Sequence, residues 1–273
     1  MKITGFIAAM VTILSLASCH DNDHKPSEKK EPGIKEEDVT YSADGVNMIG
    51  FAAYDSNKSD KRPVVLVVPE WWGLNDYAKM RAKELAKLGY LAFAVDVYGN
   101  RAQGNTPDSA GKLATPFYTD HAMIKRRFDA ALEKAKSLAQ ADTSKVAAIG
   151  YCFGGAIVNG VARMGEDLDA VVSFHGNLNV VPLKKELLKA QVLICHGAAD
   201  PLVPQAEVDL FKKQMDSIGA KYTFKAYEGA MHAFTNPNAT AMGQKFNLPI
   251  KYDAAADTAS WNEMKTFFAQ IFK

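Results

Sequence analysis

Three residues of this sequence have the types and the chain order that acyl transfer needs: Cys152, Asp200 and His232. Cys152 lies in Gly150-Tyr-Cys-Phe-Gly-Gly155, directly after an apolar run at 146–149, so a strand should deliver it and a helix should carry the chain away. A G-x-C-x-G pattern has the form of a nucleophile elbow. In such a turn the reactive side chain takes strained backbone angles, and small residues on either side let strand and helix approach. The first N–H groups and the positive end of the following helix then favour a thiolate. An elbow nucleophile needs a base and an acid to orient that base, in the order nucleophile, acid, histidine. Asp200, in His196-Gly-Ala-Ala-Asp200-Pro-Leu-Val-Pro204, and His232, in Glu228-Gly-Ala-Met-His232-Ala-Phe234, follow in that order, each just past a strand-like run. Taken singly, Cys152 could be a small core residue, Asp200 a turn or cap and His232 a satisfied loop histidine. Their joint order and position favour catalysis.

Glu70 is a further candidate acid. It stands just past the apolar run 64–68, where a charge is costly unless it pairs or reacts, although a rim salt bridge would also account for it. A developing oxyanion would need donors, and the backbone N–H groups of Phe153 and of Trp71, in the loop after Glu70, are the expected ones. Trp71 and Trp72 could wall a pocket or could serve packing alone. Tyr98, His175 and His196 also fall at strand ends, where packing is the simpler explanation; Trp72 and Tyr98 are the candidate substrate contacts. His121 and Lys125-Arg-Arg127 read as a solvated helix face. No His, Cys, Asp or Glu cluster has metal-ligand spacing and no glycine-rich phosphate loop follows the first strand, so neither metal nor cofactor is expected.

These residues need a scaffold that brings distant strand ends to one rim. From Arg62 onward, short apolar runs alternate with amphipathic segments. Strands are expected at 64–68, 90–95, 146–149, 170–174, 191–195 and 222–227, and helices at 77–88, 117–138, 153–164, 205–218 and 254–272. Nearly continuous apolar strands separated by helices imply the α/β class, with a mainly parallel central sheet and helices on both faces. Ligands of such sheets bind beyond the carboxyl ends of the strands, where Glu70, Cys152, Asp200 and His232 all fall. Ahead of them, 39–41 and 46–54 alternate in polarity and read as an antiparallel hairpin. Cys195, inside the run 191–195, reads as a buried small hydrophobe rather than a disulfide partner of Cys152.

At 48% hydrophobic and 23% charged, the 273 residues can bury a core of their own, and 32 basic against 31 acidic side chains leave no one-sign field to draw in nucleic acid. The N-terminus departs from this average. After Lys2 the run 3–17 is almost wholly apolar, which is a secretory signal pattern, and it is shorter than the roughly 20 residues a spanning helix needs. It ends in Leu16-Ala17-Ser18-Cys19, which resembles the bacterial lipoprotein box. That resemblance implies a signal peptide at 1–18, cleavage before Cys19, lipid on the Cys19 sulfur and a membrane-anchored protein that is periplasmic or outer-membrane-associated. Residues 19–38 are dominated by Lys, Glu, Asp and Pro, with Ile34 as the one aliphatic, so a disordered polar tether is expected there and a single domain over 39–273.

From about Val39 to the C-terminus the chain resembles the dienelactone hydrolase family of α/β-hydrolases. The resemblance is carried by GYCFGG at 150–155, the Asp200 loop, Gly229-Ala-Met-His-Ala-Phe234, Pro69-Glu-Trp-Trp-Gly-Leu-Asn75 and Asp96-Val-Tyr-Gly99. It implies cleavage of a small ester or lactone through a thioester, with Cys152 as nucleophile, His232 as base, Asp200 as its orienter, and Glu70 as a carboxylate that contacts and helps activate the thiol. Family members acting on dienelactone use an arginine four residues after the histidine to help hold a substrate carboxylate, and here that position is Asn236. A second such arginine comes from the helical region after the fourth strand, whereas 106–118 here contains Lys112 and no arginine. Neutral substrates are then expected to serve at least as well as carboxylate-bearing ones. The rival reading is a lipid-anchored, non-catalytic small-molecule-binding protein on a hydrolase scaffold. A thiol redox role for Cys152 is a third, against which stands the lack of a resolving cysteine nearby in sequence.

Overall fold

Val64, Val65, Leu66, Val67 and Val68 have no exposed surface, which requires a strand covered on both faces. In the computed structural model, which describes Met1, Lys2 and residues 31–273, they belong to β3 (Arg62–Val68) of an eight-stranded sheet. The apolar run after Lys2, Cys19 and the first part of the expected tether lie outside the described residues. Before β3 come β1 (Ile34–Ala43) and β2 (Val46–Asp55). After it follow α1 (Asp76–Lys87), β4 (Leu91–Ala94), α2 (Pro107–Thr119), α3 (His121–Lys136), β5 (Ala141–Tyr151) and α4 (Phe153–Arg163). The chain continues through β6 (Ala170–Phe174), β7 (Gln191–Gly197), α5 (Gln205–Ser217), β8 (Tyr222–Tyr227), α6 (Ala239–Phe246) and α7 (Ala254–Ile271).

The strand order is β1-β2-β4-β3-β5-β6-β7-β8, parallel from β4 through β8 and antiparallel at β1/β2 and β2/β4. Alternation along β3 divides the core. Val64, Leu66 and Val68 pack with Phe128 of α3, Ile157 of α4 and Phe211 of α5, whereas Val65 and Val67 pack with Leu85 of α1 and with Met264 and Phe268 of α7. The result is the expected mainly parallel sheet with helices on both faces.

Four local readings are corrected. The polar segment does not stay unstructured to Asp38, because β1 starts at Ile34 and pairs with β2 along its whole length. A composition argument counts side-chain burial, but an edge strand is held by its backbone ladder and tolerates charges well. Asp38 takes a two-bond clamp from Arg101 at 2.6 and 2.7 Å. The single helix expected over 117–138 is two, since Asp120 ends α2 and caps α3 by accepting the Met123 N–H at 3.0 Å. Within the expected solvated face, Arg127 is only 8% exposed and donates from Nη1 to the Ala43 carbonyl at 3.0 Å, its stem lying on the core. Finally, α6 has no counterpart among the expected helices.

Cys152 and Cys195 are both free thiols. Cys195 is fully buried in β7, accepts the Tyr227 hydroxyl at 3.6 Å, and has its thiol pushed by burial up to about 12. Cys195→Ala should therefore lower the unfolding free energy by about 1 kcal/mol through a small cavity, measured by urea titration. An unchanged midpoint would mean that the sulfur is not tightly packed.

Candidate active site

One residue separates β5 from α4, and it is Cys152. Its backbone stands at φ 52° and ψ −115°, a region costly for a residue with a Cβ and held only where neighbours over-determine it. The neighbours are visible. The Cys152 N–H points at both the Phe174 carbonyl (3.0 Å) and His175 Nδ1 (3.1 Å), and the Cys152 carbonyl accepts the Ala156 N–H at 3.1 Å. A methyl on Gly150 would overlap the Gly154 carbonyl, and one on Gly154 would overlap the Val68 carbonyl. The two glycines thus let α4 press against the ends of β3 and β5. Phe153, the first residue of α4, has an N–H with no helical carbonyl before it to bond.

Asp200 and His232 arrive from the loops after β7 and β8. Asp200 Oδ1 accepts the Leu202 N–H at 2.8 Å, and Oδ2 lies 2.8 Å from His232 Nδ1. With Nδ1 on Asp200, Nε2 is the ring nitrogen left to serve the Cys152 sulfur, which lies near enough to bear on the charge of the imidazole. Burial opposes a charge on His232, but the Cys152 sulfur and Asp200 outweigh it and raise the imidazole from its usual 6.5 to about 10.

A second network, which strand-end position alone did not reveal, ties the elbow to the His232 loop. His175 is buried, and burial holds its pKa well below the usual value, so it is neutral. Because Nδ1 accepts from Cys152, the ring proton is on Nε2 and is donated to Thr235 Oγ1 at 2.7 Å. Thr235, three residues past His232, also meets the Tyr77 hydroxyl at 2.7 Å, and its carbonyl accepts from Arg81 Nη2 at 2.6 Å. Arg81 in turn pairs with Asp257 of α7 and Glu84 of α1. The signal available in sequence was the concentration of polar residues around His232, with no partner legible.

Glu70 is 3% exposed and lines the same cavity of about 300 Å³ as Cys152, Trp71 and Trp72. The resemblance placed it on the thiol; the hydrogen bond it makes is instead with Asn236, whose Nδ2 donates to Oε2 at 2.7 Å. Asn236, expected to reach substrate, is 2% exposed, lines the cavity and holds Glu70. Tyr98, also expected to reach substrate, does not line the cavity. It donates its hydroxyl to the Trp71 carbonyl at 2.9 Å and stacks on Phe153, so it braces the loop that carries Trp71. Trp72 faces the cavity and stacks on Phe246 of α6, with centroids 6.0 Å apart. His196 is buried against Phe224 and touches no cavity surface. Among the described residues no group of three or more His, Cys, Asp or Glu is arranged to hold a metal ion.

Burial pushes the Glu70 carboxyl from its usual 4.5 up to about 7, against the opposing pull of Asn236, His232 and Arg81. Between those values the native state holds a proton that the unfolded chain has lost, so this group's contribution to stability is full below about 4.5 and falls away as pH rises through about 7. Glu70→Gln removes the titration and keeps an acceptor for Asn236. Its stability relative to the native protein should rise between pH 5 and pH 8 by on the order of 3 kcal/mol, read from urea unfolding at both values. A difference independent of pH would show that Glu70 titrates as an ordinary carboxylate.

The sequence profile of the dienelactone hydrolase family matches residues 49–272. Protein usf of Aquifex pyrophilus is 28% identical over 237 residues, covering 85% of this chain and 97% of that protein. A relative from Aquifex aeolicus (strain VF5), named provisionally as a carboxymethylenebutenolidase, is 28% identical over 240 residues, covering 86% and 98%. Among solved structures, a dienelactone hydrolase-like promiscuous phosphotriesterase from metagenomic libraries is 36% identical, with a TM-score of 0.82 over 87% of this chain and 98% of that one. The chain belongs to the dienelactone hydrolase family, has the α/β-hydrolase fold and is an ester or lactone hydrolase.

Proposed function

We propose that the protein hydrolyses small carboxylic esters or lactones through a thioester acyl-enzyme, with Cys152 as nucleophile, His232 as base and Asp200 as its orienter. The observation that carries this reading is the alignment of Asp200, hydrogen-bonded to His232, with His232 beside the Cys152 sulfur, at a turn whose strain fixes that sulfur on the cavity wall. The sulfur bonds to the substrate carbonyl carbon while the C=O electron pair moves to oxygen, and that oxyanion accepts hydrogen bonds from the backbone N–H groups of Phe153 and Trp71. On collapse the C–O bond to the alcohol breaks, and His232 gives the departing oxygen its proton. Water then loses a proton to His232 as its oxygen attacks the thioester carbon. The C–S bond breaks, the acid leaves and the sulfur is restored. In a lactone the alcohol simply remains attached to the acyl group. Glu70, changing charge near neutral pH beside this pair, biases it toward imidazolium when ionised.

Cys152→Ala should lower kcat/KM toward an activated ester by at least about a thousandfold. The fold should survive, because the side chain is half-buried at the rim. Retention of more than a few per cent of kcat would overturn the assignment of Cys152 as nucleophile, whereas failure of the native protein to turn over any ester or lactone in a screen of short acyl groups would favour the binding-protein reading.

The export signal at 1–18 and a lipid on Cys19 complete the proposal, supported by the sequence pattern Leu16-Ala17-Ser18-Cys19. Two or more acyl chains would anchor the protein stably, each buried CH₂ contributing about 0.8 kcal/mol. Cys19→Ala should move the protein from the membrane fraction to the soluble fraction. A variant that still sediments with membranes after a salt wash would remove the lipid from the account.

A further inference from the structure

One wall of the cavity is built by a segment that sequence periodicity did not single out. Ala239 and Met242 of α6 line it, then Asn247 takes the left-handed conformation at φ 52° and turns the chain so that Leu248, Pro249 and Ile250 line it as well. This wall is fastened to the catalytic loop and not merely laid over it. The Lys251 N–H donates to the His232 carbonyl at 3.1 Å, and Ile250 pairs with His232 as an isolated bridge. The Leu248 N–H donates to the Gly243 carbonyl at 3.0 Å, and a methyl on Gly243 would come within 2.6 Å of the Ile250 carbonyl oxygen, so helix and returning strand touch backbone to backbone.

Trp71, Trp72, Tyr118 and Leu202 complete much of the lining. Among the described lining residues there is no lysine or arginine, and the charged or titratable ones are Glu70, Cys152, His232 and Tyr118. His232 is already engaged with Asp200 and the sulfur. Lys112, the one cation of the stretch 106–118, projects from α2 with its side chain 76% exposed and pairs with Asp108 at 2.7 Å. Arg81 lies behind the site on Asp257, Glu84 and the Thr235 carbonyl, and Asn236 serves Glu70. A substrate carboxylate entering here would exchange water for apolar surface and the neighbourhood of Glu70, with no free cation to meet it.

We propose that the 239–250 segment is the specificity wall of this site and selects small, neutral, apolar esters or lactones over carboxylate-bearing ones. The inference rests on the ester hydrolase reading and adds its substrate class. The volume, about 300 Å³, is at the small end of ligand cavities.

The test pairs p-nitrophenyl hexanoate with mono-p-nitrophenyl adipate, which share a leaving group and chain length and differ by one terminal carboxylate. Equilibrium binding of both to the Cys152→Ala protein, by calorimetry, reports the wall without turnover, while turnover by the native protein reports the hydrolase reading. The hexanoate is expected to bind at least about tenfold more tightly, and kcat/KM to differ in the same direction by a similar factor. Met242→Lys and, separately, Leu248→Lys put a cation on the half-buried wall and should move the binding ratio toward the adipate by about tenfold. Adipate binding as tightly as hexanoate to the Cys152→Ala protein, or a ratio unmoved in both lysine variants, overturns the inference. Selective hexanoate binding without turnover of either ester by the native protein supports the wall and removes the hydrolase reading.

Discussion

The close approach of α4 to the carboxyl ends of β3 and β5 is the constraint on which the site depends. Backbone meets backbone at Gly150, Gly154 and Val68, with no room for a Cβ at either glycine. Only one residue is then left to reverse the chain, and it must adopt a positive φ. Strain of this kind costs on the order of 1–3 kcal/mol. Burial of all eleven residues of α4 between the sheet and its neighbours offsets it. The same approach brings the Glu70–Trp71 loop, which continues directly from β3, alongside the sulfur. Nucleophile, expected oxyanion donors and second carboxylate are therefore consequences of one packing contact.

Two carboxylates serve the cavity in different electrical settings. Asp200 faces the imidazole of His232 and accepts a backbone N–H as well, so its charge is matched. Glu70 is enclosed by apolar rings and meets a neutral amide, so burial dominates and its proton is retained to about pH 7. Burial thus makes Glu70 a group able to change charge during a cycle, while Asp200 serves His232 as a hydrogen-bonded partner. Had position 236 held a guanidinium, Glu70 would have been paired and charged. Asparagine supplies geometry without charge, and the cavity as a whole follows suit.

The residues around the elbow form a rigid frame. His175 links the Cys152 backbone to Thr235, Thr235 links to α1 through Tyr77, and Arg81 joins α1 to α7 through Asp257. Each side chain in that chain has a hydrogen-bond partner, and a half-made network would cost more than an apolar one. The His232 loop is thus held from behind by this network and from the side by the backbone pairing with Ile250.

The strands, their order of chemistry and the rim shared by Cys152, Asp200 and His232 were legible in the sequence because each rests on a local rule. A strand buried on both faces must be apolar through its length, and a strained turn between close-packed elements needs glycine beside it. The break at Asp120 was local too, yet helical periodicity runs through it on both sides and hides the cap. The strand at 34–38 escaped because its stability lies in backbone pairing with β2, to which side-chain composition is blind. Tertiary structure alone decided the rest. The amide of Asn236 meets Glu70 across 166 positions of chain, and Tyr98 supports Trp71 across 27. Met242 and Ile250 become cavity wall because the segment returning from α6 is tied to the backbone of His232. Which way a polar side chain turns at a strand end depends on the nearest partner in space, and no local pattern of residue types carries that information.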